Sequence, residues 1–136
     1  MTEIKLPAKM ENLHEIMEQI AGAAREFGIV DDKIGDIELA CEEIVVNVIN
    51  YAYEEQDGDI SVICTSEEGS KFVIEIIDSG IPFNALEAED PDIDVPLMER
   101  KIGGLGIFFV KQLVDEVNYQ RVDGSKNVLT LIVYKT

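Results

Sequence analysis

Three short motifs, each carried on a different kind of element, constrain the fold of this chain more than any other feature of its sequence. Glu43-Ile44-Val45-Val46-Asn47 lies in a helical stretch, Asp78-Ser79-Gly80 closes a strand, and Gly103-Gly104-Leu105-Gly106 opens a later helix. Carboxylates on helices, Asp-x-Gly turns and glycine-rich helix starts are each common alone. The order and spacing of the three carry the signal, because a fold that uses them together must bring a helix, a strand end and a helix start to one place.

The apolar periodicity supplies those elements. From Asn12, apolar residues at Leu13, Ile16, Met17, Ile20, Ala21, Ala24 and Phe27 repeat at helical spacing until Gly28. A second helix of about five turns starts near Asp31 or Asp32 and keeps Ile37, Cys41, Ile44, Val45, Val48 and Ala52 on one side. Glu3 to Pro7 alternates and stops at a proline, as a short edge strand does. Ile60 to Thr65 and Lys71 to Ile77 read as strands joined by Glu67-Glu68-Gly69-Ser70. Ile107, Val110, Leu113 and Val114 mark a third helix, followed by Val117 to Val122 and Asn127 to Tyr134 as a hairpin about Asp123-Gly124. Between Ser79 and Ile102 there is no sustained period, and prolines and acids abound. Such long loops in compact domains are functional lids or disordered segments, and the position between two motifs favours a lid.

These elements predict an α+β two-layer sandwich, with a mixed, mostly antiparallel sheet covered on one face by about three helices. A chain of 136 residues with 46% hydrophobic content fills one core, so residues 1–136 are expected to form a single domain. The net charge of −17 argues against direct binding of nucleic acid or of an anionic membrane, since both would repel it. Cys41 and Cys64 stand 23 positions apart with one histidine in the chain, so neither a zinc site nor a disulfide scaffold is indicated. No run of about 18 apolar residues occurs, and Met1-Thr2-Glu3-Ile4-Lys5 lacks a secretory pattern, which points to the cytoplasm.

Each motif has a chemistry. Glu43, Asn47, Asn50 and Glu54 fall on one polar stripe of the second helix. A neutral Asn oxygen suits Mg²⁺ bridging to phosphates, and a carboxylate one turn earlier can take a proton from an attacking hydroxyl; the bland alternative is a solvated helix face. Asp78, delivered to the end of a buried strand, can accept from an exocyclic amine such as that of adenine, and Gly80 lets backbone approach the ring. An ordinary strand-ending turn has the same residues. The Gly103 to Gly106 run lets backbone wrap phosphates at a helix N-terminus, yet it lacks the Lys-Ser/Thr ending of a P-loop and does not directly follow a strand as a Rossmann fingerprint would. Arg100 and Lys101, two of 11 basic residues, stand just upstream, where one of them can meet the terminal phosphate.

With its helix motif ending in Ala52-Tyr53, the chain resembles the GHKL (Bergerat-type) ATP-binding family over nearly its whole length, and within it the bacterial anti-sigma factor serine kinases. The resemblance implies ATP and Mg²⁺ as cofactors, with Asn47 as metal ligand, Glu43 as general base, Asp78 and Gly80 at adenine, and Gly103, Gly104, Leu105 and Gly106 as phosphate cradle. It also places a hydroxyl near the nucleotide on the last strand, where Thr130 stands; the alternative is an ordinary β-branched strand residue. The implied function is an ATP-dependent serine/threonine protein kinase and anti-sigma factor, with a small anti-sigma-factor antagonist as substrate and a sigma factor as second partner. A homodimer is common in the family. The other reading is a regulatory module that uses nucleotide to grip a partner without phosphate transfer. His14 sits in a faint likeness of a histidine kinase phosphoacceptor motif, but no second bundle helix with the usual proline follows.

Overall fold

The computed structural model describes residues 1–53, 57–82 and 110–135. Strand β1 (Thr2–Pro7) leads through a 3₁₀ turn at Met10–Asn12 into α1 (Leu13–Phe27) and α2 (Asp31–Asn47). The helix then relaxes into a π turn over Val48–Ala52 before β2 (Asp59–Glu67) and β3 (Lys71–Asp78). Residues 110–113 are helical and precede β4 (Glu116–Val122) and β5 (Lys126–Tyr134). The sheet is five-stranded in the order β1-β2-β3-β5-β4. Every pairing among the described strands is antiparallel, so the mixed sheet expected from the sequence has no parallel pair here.

Two-residue alternation decides which side of each strand meets the helices. Phe72, Ile74 and Ile76 on β3 face the same side as Leu129, Leu131 and Val133 on β5, and all are buried. The inward faces of α1 (Ile16, Ile20, Ala21, Ala24) and α2 (Ile34, Ile37, Ala40, Cys41, Ile44, Val45) close this core. Both hairpins turn tightly. Glu68 and Gly69 have φ of 54° and 70°, Asp123 and Gly124 of 54° and 66°, the left-handed pairs of type I′ turns that match strand twist. The opposite face of the sheet carries no helix among the described residues.

The second helix departs from its expected course. Apolar spacing continues to Ala52, but regular α-helix stops at Asn47, and the next turn is wound with one more residue. The Ala52 carbonyl at the end of this turn accepts the Ile81 amide at 2.9 Å, which ties the end of the helix to the segment just beyond β3.

Ile74 lies fully buried at the centre of the sheet, whereas Ile77 points to the open face. Ile74→Ala should cost about 2–5 kcal/mol, and Ile77→Ala about 1 kcal/mol, measured by urea denaturation. Equal losses would contradict the one-sided layer.

Candidate functional site

The last turns of α2 carry the first motif. Asn47 is 6% exposed, one of three buried polar residues among those described. Glu43, one turn earlier, is half-buried, and its Oε1 is buried with no hydrogen-bond partner among the described residues. Burial raises the Glu43 carboxyl above its ordinary range, and the neighbouring Glu42 charge adds to the rise. An orphaned carboxylate oxygen of raised basicity is an unusual thing to retain on a packed helix. Asn50, in the π turn, is exposed: the wider turn carries it off the line that a regular helix would have continued.

Strand β3 delivers Asp78, which is 3% exposed. Its Oδ1 accepts the Gly80 amide at 2.9 Å, closing an Asx turn in which the chain doubles back toward Ala52. Glycine is required at position 80 by space. A Cβ there would stand 2.1 Å from the Ala52 carbonyl oxygen, inside any permitted contact. Tyr53 completes the joint, its hydroxyl donating to the Asp59 carbonyl at 2.6 Å and accepting the Ser79 amide at 2.7 Å. Helix end and strand end are therefore fixed to one another around the Asp78 carboxylate.

Asn127, opposite Asp78 on β5 and also 3% exposed, was not singled out by the sequence reading. Its amide donates to Asp78 Oδ1 at 2.8 Å and to the Ile81 carbonyl at 2.7 Å. Burial raises the Asp78 carboxyl, while the Asn127 and Gly80 donors and the Arg121 charge act against that rise. Thr130 is not brought to this site. It pairs with Glu75 on the open face, one residue out of phase with Leu129 and Leu131, so its hydroxyl lies across the sheet from Asp78. The polar β5 residue facing the site is Asn127. Strand parity held the signal: Asn127 has the phase of Leu129, Leu131 and Val133, and a polar residue in a buried phase needs a partner.

Arg100, Lys101, Gly103, Gly104, Leu105, Gly106, Glu54 and the expected lid beyond Pro82 lie outside the described residues. No group of three or more His, Cys, Asp or Glu side chains able to hold a metal occurs among the described residues. Mg²⁺ is held by one or two protein oxygens and by substrate phosphates rather than by an all-protein cage. The buried neutral amide of Asn47 fits that requirement. A depression bordered by described residues opens on the other side of the joint, where Tyr53, Ser79 and Gly80 meet Lys5, Ser61 and Lys126; the motif side chains of Glu43, Asn47 and Asp78 do not line it. Among the described residues no helix is long and apolar enough to cross a membrane.

A family profile described as a histidine kinase-like ATPase domain matches residues 6–133. The serine-protein kinase RsbW of Bacillus mycoides is 27% identical over 137 residues, which covers 98% of this chain and 85% of that protein. Proteins of the same name from Bacillus cereus and Bacillus anthracis are 28% identical over the same shares. Among solved structures, the RsbU and RsbW domains of a Mycobacterium tuberculosis protein superpose with a TM-score of 0.63 at 19% identity, covering 98% of this chain and 32% of that one. The histidine kinase domain of a blue-light activated histidine kinase from Erythrobacter litoralis gives 0.56 at 18% identity, over 90% and 61%. These two likenesses concern the fold alone.

Two consequences can be measured. Gly80→Ala should destabilise the protein by about 1–3 kcal/mol in urea titrations, because the Cβ forces the strand end away from the π turn. A folded-state pKa raised above the ordinary 3.8 means that Asp78 binds its proton more tightly when folded. Its contribution favours folding below that value and is lost as pH rises through the raised one. Asp78→Asn should flatten this part of the stability profile, read as the difference between variant and wild-type melting temperatures across pH. A difference that stays constant with pH would mean that Asp78 is not the raised group.

Proposed function

Since the chain belongs to the histidine kinase-like ATPase domain family, we propose that it is an ATP-dependent serine/threonine protein kinase and anti-sigma factor. Its substrate is a small anti-sigma-factor antagonist protein, and its second partner a sigma factor. We read residues 1–136 as one domain, cytoplasmic in setting and able to form a homodimer. The observation that carries the enzymatic reading is the unpartnered, buried Oε1 of Glu43 one helical turn before the buried Asn47. Metal binding alone requires the amide; a carboxylate kept without a partner and with raised basicity is what proton transfer requires. The serine-protein kinases of the Bacillus relatives support the same class of reaction.

Bound ATP with Mg²⁺ would supply the transferable phosphoryl group and a cation to offset its charge. Asn47 holds the cation through its side-chain oxygen. Glu43 accepts the proton of the attacking serine or threonine hydroxyl as that oxygen bonds to the γ-phosphorus, while the bond from this phosphorus to the β–γ bridging oxygen breaks and ADP leaves with the electron pair. Asp78 accepts from the exocyclic amine of adenine and repels a carbonyl oxygen at the same position. Arg100 or Lys101 and the Gly103 to Gly106 backbone bind the phosphates.

Calorimetry with ATP and GTP in the presence of Mg²⁺ checks base recognition: Asp78→Asn should weaken ATP binding by about 1–3 kcal/mol, and equal affinity of the wild type for both nucleotides would remove Asp78 from that role. Transfer is checked with γ-labelled ATP and the native antagonist. Glu43→Gln should leave ATP affinity nearly intact and slow phosphorylation by about 10²–10⁴-fold, while Asn47→Ala should weaken Mg-ATP binding and every activity that depends on it. A wild-type protein that binds both antagonist and Mg-ATP yet transfers no phosphate is a nucleotide-gated binding module instead.

A further inference from the structure

The Asp78 carboxylate is held by a network that reaches to the far edge of the sheet. Asn127 spends both amide protons on acceptors, Asp78 Oδ1 at 2.8 Å and the Ile81 carbonyl at 2.7 Å. Its side-chain oxygen accepts the Tyr119 hydroxyl at 2.7 Å and Arg121 Nη1 at 3.1 Å. These partners allow one orientation of the amide only, because a flipped amide would set its oxygen against two acceptors and its protons against a guanidinium that cannot accept. Arg121 Nη1 also donates to the Gly80 carbonyl at 2.9 Å, and Nη2 to the Gly124 carbonyl at 2.9 Å, which roots the guanidinium in the β4–β5 hairpin.

The network fixes the carboxylate through one oxygen. Asp78 Oδ1 takes two donors, from Asn127 and from the Gly80 amide, while no described residue donates to Oδ2. The Gly80 and Ile81 carbonyls, which follow Asp78 in the chain, are drawn toward Arg121 and Asn127. Among the described residues, one immobilised acceptor is therefore left without a donor at the strand end. An acceptor held rigidly discriminates a ligand amine from a ligand carbonyl better than one free to rotate, because a mobile carboxylate can turn away from the mismatched group.

We propose that Asn127, braced by Arg121 and Tyr119, is a positioning residue that sets the preference of this site for a 6-amino over a 6-oxo purine nucleotide. The proposal rests on the reading of Asp78 as the base-recognising residue. It acts through Asp78, without contact between Asn127 and the base.

The test is calorimetry of the full chain with ATP and with ITP, which carry an amine and a carbonyl at the same ring position, each with Mg²⁺. Wild type should bind ATP at least about tenfold tighter than ITP. Asn127→Leu, with folding verified by circular dichroism, should bring the two affinities within about twofold, chiefly through weaker ATP binding; Arg121→Met should move the ratio in the same direction by less. A folded Asn127→Leu protein that keeps the wild-type ratio, or that loses both nucleotides in equal proportion, overturns the positioning role and leaves Asn127 a purely structural residue. If Asn127→Leu does not fold, an unchanged ratio in Arg121→Met overturns it. Failure of wild type to bind ATP at all would instead refute the nucleotide reading, which separates the two outcomes.

Discussion

The contact between the Ala52 carbonyl and the backbone of Gly80 and Ile81 is the constraint on which the site depends. It joins two layers at a point where neither carries a side chain between them. Sheet and helices otherwise meet through aliphatic packing, which is strong but non-directional and tolerates small sliding. A 2.9 Å hydrogen bond from Ile81 to Ala52, with a glycine pressed against the same carbonyl, tolerates none. The polar residues of α2 and the carboxylate of β3 keep a fixed relation because this one joint is directional.

The sequence made the framework legible and the joint illegible, for one reason. Periodicity reports which residues are buried, and it did so well: α1 and both hairpins lie where the apolar spacing put them. A π turn leaves that pattern almost unchanged. Val48 and Ala52 are buried whether the backbone between them is α or π, so the spacing continued past Asn47 without a break. What changed was the direction of a carbonyl and the facing of Asn50, neither of which has a hydropathy. The hydrogen bonds of Tyr53, named only as the end of the helix motif, were illegible for a similar reason, because an aromatic at a helix end does not announce what its hydroxyl will bond.

The contrast between Thr130 and Asn127 marks the other boundary. Thr130 entered by resemblance and chemistry, as a hydroxyl on the last strand, without regard to phase. Asn127 stood at the foot of a hairpin, where asparagine is an ordinary turn former. Alternation along β5 distinguishes them: Leu129, Leu131 and Val133 fix the inward phase, which includes Asn127 and excludes Thr130. A functional residue on a strand must satisfy chemistry and parity together, since a one-residue shift moves it through the sheet.

Burial of charge connects these observations. Asp78 and Glu43 are both raised by desolvation, but the protein treats them differently. Asp78 has an amide, a backbone N–H and a guanidinium drawn up around it, so that its ionised form is supported and its position fixed. Among the described residues Glu43 has no such partner for its buried oxygen, and burial and the Glu42 charge both raise it. A carboxylate that must only accept a hydrogen bond is best held ionised and rigid, whereas one that must take up a proton is best left poorly solvated and unengaged. Among the described residues, what separates the two carboxylates is the Asn127 donor and the Arg121 charge that the β4–β5 hairpin lends to Asp78, with no such donor at the buried oxygen of Glu43.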